Sequence, residues 1–234
     1  GRFHLIGVDS DPNLLATARK RTADSLEELG FSLIETENTL EGARRIGGKS
    51  LHVEIRYIRA NLLDKSFIES LSRFRPIAVT AQALMDCLPP VPALRYLRGL
   101  LSPGALLYTS INYDGRTEFL PRYDFSPVEE SILEDYDRSM DERTVHGETI
   151  AGSECGGTLY GNLVEHGYEP VSVGASDWSL CPVDGRYDPD VLTVIRTLLE
   201  TIHDEIRSRQ ETGLNEVVPA DLEKWYASRL ALVS

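Results

Sequence analysis

The segment Gly7-Val8-Asp9-Ser10-Asp11-Pro12 places two carboxylates two residues apart at the end of an apolar run. An acidic side chain at the tip of a strand can accept hydrogen bonds from both hydroxyls of a ribose, and open α/β folds often place one beside a nucleotide crevice. The same residues can serve a simpler purpose, capping a helix that begins at Pro12 and favouring its dipole. A second group lies in Asn112-Tyr113-Asp114-Gly115-Arg116, where Asp114-Gly115 reads first as a good turn and, as the alternative, as part of a loop that faces a substrate. Asp86, and Trp178 within Ser176-Asp177-Trp178, complete the substrate-side candidates, although Trp178 serves equally well as packing. No side chain in this set is assigned the role of base.

Other chemistries lack their residues. His4, His52, His146, His166 and His203 show no ligand spacing such as H-E-x-x-H, so no structural metal is expected. There is no G-x-x-x-x-G-K-[ST] phosphate loop and no G-x-S-x-G nucleophile elbow. Cys87, Cys155 and Cys181 are far apart and odd in number, which suits a reducing cytoplasm better than a disulfide framework. The acidic stretch from Glu129-Glu130 to Asp141-Glu142 reads as a solvated helix face, with a lid carrying Arg138 and Met140 as the alternative.

The elements that must position these residues follow from periodicity. The apolar run Phe3–Val8 predicts a buried strand, and Leu14, Leu15, Ala18 and Leu26 recur at helical spacing behind Pro12, up to a stop near Gly30. Residues 31–50 are ambiguous, with a short strand at Phe31–Ile34 and a turn at Gly47-Gly48. Leu51–Ile58 alternates with a two-residue period, as a half-buried strand does. A helix over Lys65–Phe74 leads to the apolar run Ile77–Ala81, and a helix opened by Pro89, Pro90 and Pro92 leads through Ser102-Pro103-Gly104 to a strand at Ala105–Ile111. This alternation predicts a mostly parallel α/β sheet covered by helices on both faces, with ligands at the carboxyl ends of its strands. Beyond it come a polar loop over Asn112–Phe125, helices near Pro127–Glu142, Leu159–Val164, Pro189–Gln210 and Pro219–Leu230, and a strand at Glu169–Gly174.

The chain has 234 residues, 41% of them hydrophobic and 26% charged, enough for one ordinary core and short of two. Its formal charge of −13 repels phosphate backbones and anionic headgroups, so neither nucleic acid nor a membrane is an expected partner. No apolar run reaches the roughly 18 residues of a membrane span.

Taken in order, several segments resemble the class I S-adenosylmethionine-dependent methyltransferases. Gly7-Val8-Asp9-x-Asp11-Pro12-x-Leu14-Leu15-x-x-Ala18 is similar to that family's second strand and following helix, and Ala60-Asn61-Leu62-Leu63 to its end of strand three. Val79–Asp86 resembles its fourth strand and active-site loop, Leu100–Leu107 its helix, turn and fifth strand, and Gly157–Tyr168 the helix before strand six. The resemblance implies a Rossmann-like fold, S-adenosyl-L-methionine as cofactor and methyl transfer to a small molecule. It implies that Asp9 binds the ribose hydroxyls and Ser10 lies against the adenine. Asn61 and Leu62 would contact the adenine, and Ala81 and Gln82 would lie near the methionine portion. Asn61 departs from the family's usual Asp, although an amide carbonyl can accept the same bond. A larger departure is the absence of a Gly-rich loop after a first strand, and a βα unit is expected to precede Gly1.

The expectation is therefore a single methyltransferase-like domain over 1–234, with cofactor-binding βα units in 1–111 and substrate-side elements in 112–234. Two rivals stand beside it. One is an NAD(P)-dependent oxidoreductase, which would use Asp9 in the same way; the other is a methyltransferase-like subunit without catalytic activity. The helices at 126–142 and 189–230 suit either a pocket cover or a homodimer surface.

Overall fold

The computed structural model describes residues 1–72, 74–124 and 126–233. Arg73, inside the predicted helix Lys65–Phe74, Phe125, at the end of the predicted polar loop, and Ser234 lie outside the described residues. By contact density the chain divides into two compact units, Gly1–Ala78 with Arg95–Leu106, and Val79–Leu94 with Leu107–Ser234.

The first unit is built on a four-stranded sheet. β1 (Arg2–Asp9) pairs in parallel with β4 (Lys49–Arg59), from Arg2 opposite His52 to Asp9 opposite Arg59. β3 (Thr39–Ile46) pairs antiparallel with β4, and β2 (Ser32–Glu35) antiparallel with β3, giving the order β1-β4-β3-β2. This corrects the predicted Rossmann-like parallel sheet: one pair of this sheet is parallel and the other two are antiparallel. The physical reason lies in residues 31–50. Gly47 and Gly48 both adopt positive φ, 54° and 81°, the backbone that a two-residue hairpin turn needs to match strand twist. The turn folds β3 back on β4 where a crossover helix would otherwise stand. α1 (Pro12–Glu28) covers one face of the sheet, burying Ala23 against Leu40 and Ile55, with Leu26, Leu33, Val53 and Tyr57 around them. α2 (Lys65–Ser72) follows β4 and buries Ile68 and Leu71.

β1 is an edge strand among the described residues. The carbonyls of Gly1 and Asp9 accept from His52 and Ala60, so the odd-numbered residues of β1 face β4. Backbone groups alternate along a strand, and those of Arg2, His4, Ile6 and Val8 therefore point away from the sheet. Phe3 and Leu5 are about half exposed.

β5 (Ala78–Gln82) and β6 (Leu106–Ser110) form a separate two-stranded parallel sheet, and α3 (Pro90–Leu100) connects them. The second unit owes most of its core to three helices, α4 (Ser126–Asp141), α6 (Pro189–Glu211) and α7 (Pro219–Leu232). Ile132, Leu199, Ile202, Ile206, Leu222 and Trp225 are buried among them. Proline opens α6 and α7 at the first turn, and Asp188 caps α6 by accepting from the Asp190 N–H at 2.8 Å. A short hairpin, β7 (Thr144–Val145) with β8 (Glu148–Thr149), precedes α5 (Cys155–Glu165).

The predicted strand at Glu169–Gly174 is irregular chain, with Val171 and Val173 exposed. Its alternating pattern joins no ladder among the described residues, and a strand exists only in a ladder. No helix among the described residues is long and apolar enough to cross a membrane.

Candidate functional site

In the first unit the parallel register of β1 and β4 brings two predicted ligand-contacting loops to one edge of the sheet. The Asp9 carbonyl accepts from the Ala60 N–H at 3.0 Å, so Asp9-Ser10 and Asn61-Leu62 leave adjacent strands side by side. The capping and binding readings of the two aspartates also separate here. Asp11 is the helix cap: its side chain accepts from the Asn13 N–H at 2.7 Å, with Pro12 opening α1 behind it. Asp9 holds the turn with one oxygen only, Oδ1, which accepts from the Asp11 N–H at 2.8 Å. Oδ2 of Asp9 has no partner among the described residues. Arg59 fastens the loop from β4 by donating to the Ser10 carbonyl at 3.1 Å.

Asn61 lies exposed at the end of β4 and uses its side-chain oxygen to accept from the Leu63 N–H at 2.9 Å. The amide's two donors and one oxygen lone pair remain for a ligand. Asp64 accepts from Ser66, which lowers its carboxyl below the usual range, and in doing so starts α2.

In the second unit the candidates gather at the carboxyl ends of β5 and β6. Ala81 is buried and its carbonyl accepts from Thr109 Oγ1 at 3.0 Å, while Gln82 is exposed at the strand end. Ala83 follows with φ +51°, a left-handed conformation uncommon for a residue with a Cβ, and donates to the Ser110 carbonyl at 2.8 Å. Asp86 sits in a 3₁₀ turn over Met85–Cys87. Its Oδ2 lies 3.4 Å from the Asn112 N–H, and its Oδ1 is buried without a hydrogen bond.

Tyr113 and Asp114 are tied to other elements. The Tyr113 hydroxyl donates to Asp137 Oδ1 of α4 at 2.6 Å. Burial, then the hydrogen bond to Asp137, pushes the phenol well above its ordinary range. Burial likewise pushes the Asp137 carboxyl up, against the Tyr113 hydrogen bond and together with the charges of Asp141 and Glu134. Asp114 Oδ1 accepts from the N–H groups of Gly156 at 2.9 Å and Gly157 at 3.3 Å, in the first turn of α5. A Cβ at Gly156 would collide with the Asp114 carboxylate, so glycine is what permits this approach. Asp141, at the end of α4, accepts from both the N–H and the hydroxyl of Ser153, at 2.8 and 2.9 Å. Three carboxylates thus close a ring of contacts from the β6 loop to α4, from α4 to the start of α5, and back to the β6 loop.

Cys155 opens α5, but burial, then Asp86, Asp114 and Cys87, push its thiol up to about 12. The thiolate needed for nucleophilic chemistry is therefore scarce at neutral pH. Trp178 lies in irregular chain and is 66% exposed. Among the described residues no cluster of three or more His, Cys, Asp or Glu side chains has the geometry to hold a metal ion.

Ala83, Asp137, Asp141 and Gly156 were not singled out from the sequence. The acidic run on α4 is not the wholly solvated face its composition suggests, since Glu129 and Asp135 are buried, and nothing in its spacing distinguishes Asp137 and Asp141 from the exposed Glu130 and Glu134. Compared with protein-family models, with curated proteins and with solved structures, the chain matches none.

Proposed function

We propose that the chain is an S-adenosyl-L-methionine-dependent methyltransferase acting on a small-molecule acceptor. The observation that carries this reading is the parallel pairing of β1 with β4, which puts Asp9 and Asn61 on adjacent strand ends with ligand-binding capacity left on both. The free Asp9 oxygen fits a ribose diol, which offers donors where a carboxylate offers acceptors. The Asn61 amide fits the donor and acceptor edge of an adenine, and the half-buried Leu62 supplies an apolar surface beside it.

When bound, the cofactor supplies an electrophilic methyl group on a sulfonium. The work of this chain is to bind and orient. In the first unit, Asp9, Ser10, Asn61 and Leu62 hold the nucleoside portion. Asp86, Tyr113, Asp114 and Trp178 serve the acceptor, with Asp114 acting by fixing the start of α5. Alignment and removal of water from the acceptor are worth large rate factors by themselves, so no catalytic triad is required. The net charge of −13 favours a small acceptor over a polyanion. Three free cysteines accord with a cytoplasmic location.

Calorimetry with S-adenosylmethionine, S-adenosylhomocysteine and NAD⁺ tests the reading. Both sulfur nucleosides should bind, NAD⁺ should not, and Asp9→Ala should weaken binding about tenfold or more, as loss of a charged hydrogen-bond acceptor does. Binding of NAD⁺ alone would transfer the reading to the oxidoreductase, and binding of none would leave a non-enzymatic subunit.

A further inference from the structure

The first unit keeps one face of its sheet open. α1 packs on the face that carries Leu33, Leu40, Val53 and Ile55. Side chains alternate along each strand, so the pairing registers set two cross-strand rows on the opposite face. One row runs Arg2, His52, Ala43, Ser32 across β1, β4, β3 and β2, and the next runs His4, Glu54, Glu41, Ile34. A groove of about 260 Å³ lies over these rows, bordered by Arg2, His52 and Glu54 from β1 and β4 and by Ile34 and Glu41 from β2 and β3. Its floor is low because the other two side chains there, Ala43 and Ser32, are small.

The polar groups of the groove differ in what already holds them. Glu54 accepts from Arg2 Nη2 at 3.5 Å and from Arg56 Nε and Nη2 at 2.9 and 2.7 Å, and His4 Nδ1 stands 3.0 Å away. The side chains of Ser32, Glu41 and His52 have no hydrogen bond or ion pair among the described residues. Glu41 stands directly opposite Glu54 in the antiparallel pair of β3 with β4. Like charges so placed repel, and both guanidiniums beside Glu54 come from β1 and β4, which leaves Glu41 uncompensated. A cation seated at Glu41 removes that repulsion. The neighbouring row offers donors instead: the Arg2 guanidinium has N–H groups beyond the one aimed at Glu54, an imidazole carries an N–H in either charge state, and Ser32 has a hydroxyl. Those groups suit an anion.

We propose that the groove binds a small zwitterion of the ω-amino acid class, with its ammonium at Glu41 and its carboxylate at the row of Arg2, His52 and Ser32. The two rows are two residues apart along the strands, about 7 Å, so the ligand's charges belong at opposite ends of a short hydrocarbon and not on one carbon. Ala43 lies beneath that hydrocarbon and the exposed Ile34 beside it. The volume sets the size, since it falls just under the roughly 300–1,000 Å³ of drug-sized sites and so suits a chain of a few carbons and not a dinucleotide. The site is separate from the one that receives the nucleoside. Arg2 and Asp9 are the two ends of β1, about 23 Å apart, so binding here does not depend on methyl transfer.

Titration of the isotope-labelled full chain with γ-aminobutyrate tests this, read from backbone amide chemical shifts, with butylamine and butyrate as probes that each lack one charge. γ-Aminobutyrate should give saturable shifts at Gly42, Ala43 and Val53 and bind about tenfold or more tighter than either control, the factor that one charged hydrogen bond carries. Glu41→Gln should weaken its binding by about the same factor. Ala43→Leu fills the floor without removing a charge and should abolish the shifts. Both positions are exposed, so neither change reaches the core. Absence of a saturable shift in the wild type, or wild-type affinity in either variant, would overturn the proposal. Butylamine binding as tightly as γ-aminobutyrate would also overturn it, reducing the effect to attraction of any cation by an acidic chain.

Discussion

At the residue scale, side chains that look alike in sequence divide by what their oxygens already hold. Asp9 and Asp11 are two positions apart, yet Asp11 is committed to a helix N-terminus and Asp9 holds only the turn before it, through one oxygen. Asp114 spends one of its oxygens on the start of α5, whereas Asp86 keeps a buried oxygen unpaired. Glu129 carries the largest single structural load. It is buried, and truncation would strand the Arg229 guanidinium and the Trp225 indole in the core. Glu129→Ala should cost about 3–5 kcal/mol, the penalty for an uncompensated buried charge, read from denaturant unfolding of the helical core. Tyr113 sets a limit at high pH. Its folded-state phenol ionises less readily than that of an unfolded chain, so the stability it contributes is complete below about pH 10 and is lost as pH rises beyond that value. Tyrosinate absorbance should therefore develop late and together with unfolding, and Tyr113→Phe should weaken that coupling. Asp137 shifts the same way: its protonated form is favoured in the fold, so its contribution is present at acid pH and declines as pH rises past the ordinary carboxylate range.

At the element scale, what could be read in advance was local. Proline behind an aspartate announces the starts of α1 and α6, because both signals act within one turn of chain. β1, β4, β5 and β6 announce themselves as apolar or alternating runs. β3 does not, since Thr39–Ile46 carries three charged residues and one glycine among its eight, and its place comes from the turn at Gly47-Gly48. The reverse error lies at Glu169–Gly174, whose alternation is strand-like but which joins no ladder among the described residues. Half of the candidate site was readable for the same reason. Asp9, Asn61, Asp86 and Tyr113 stand at strand ends that pattern alone can locate, whereas Asp137 and Asp141 act across 24 and 12 residues of sequence on loops that only the folded chain brings to them. Gly156 marks the tightest of these approaches. Gly156→Ala should displace Asp114 and free the first turn of α5, seen as faster amide exchange at Gly156 and Gly157 with little loss of global stability.

At the scale of the whole molecule, charge is divided between a paired interior and an unbalanced exterior. The buried carboxylates Glu129 and Asp135 each meet an arginine, while the chain retains a formal charge of −13. That excess bears on the free edge of β1, where four residues present backbone donors and acceptors beside the half-exposed Phe3 and Leu5. An open, apolar strand edge is a template for association, and mutual repulsion between like-charged copies opposes it. Repulsion of this kind reaches about 10 Å in 0.1 M salt and about 3 Å in 1 M. The protein's colloidal behaviour should thus be set by ionic strength: dispersed in dilute buffer, and associating through β1 as salt rises. Light scattering over that range, with Ile6→Pro removing one outward amide donor from the edge, would show whether a single strand governs the solubility of the whole chain.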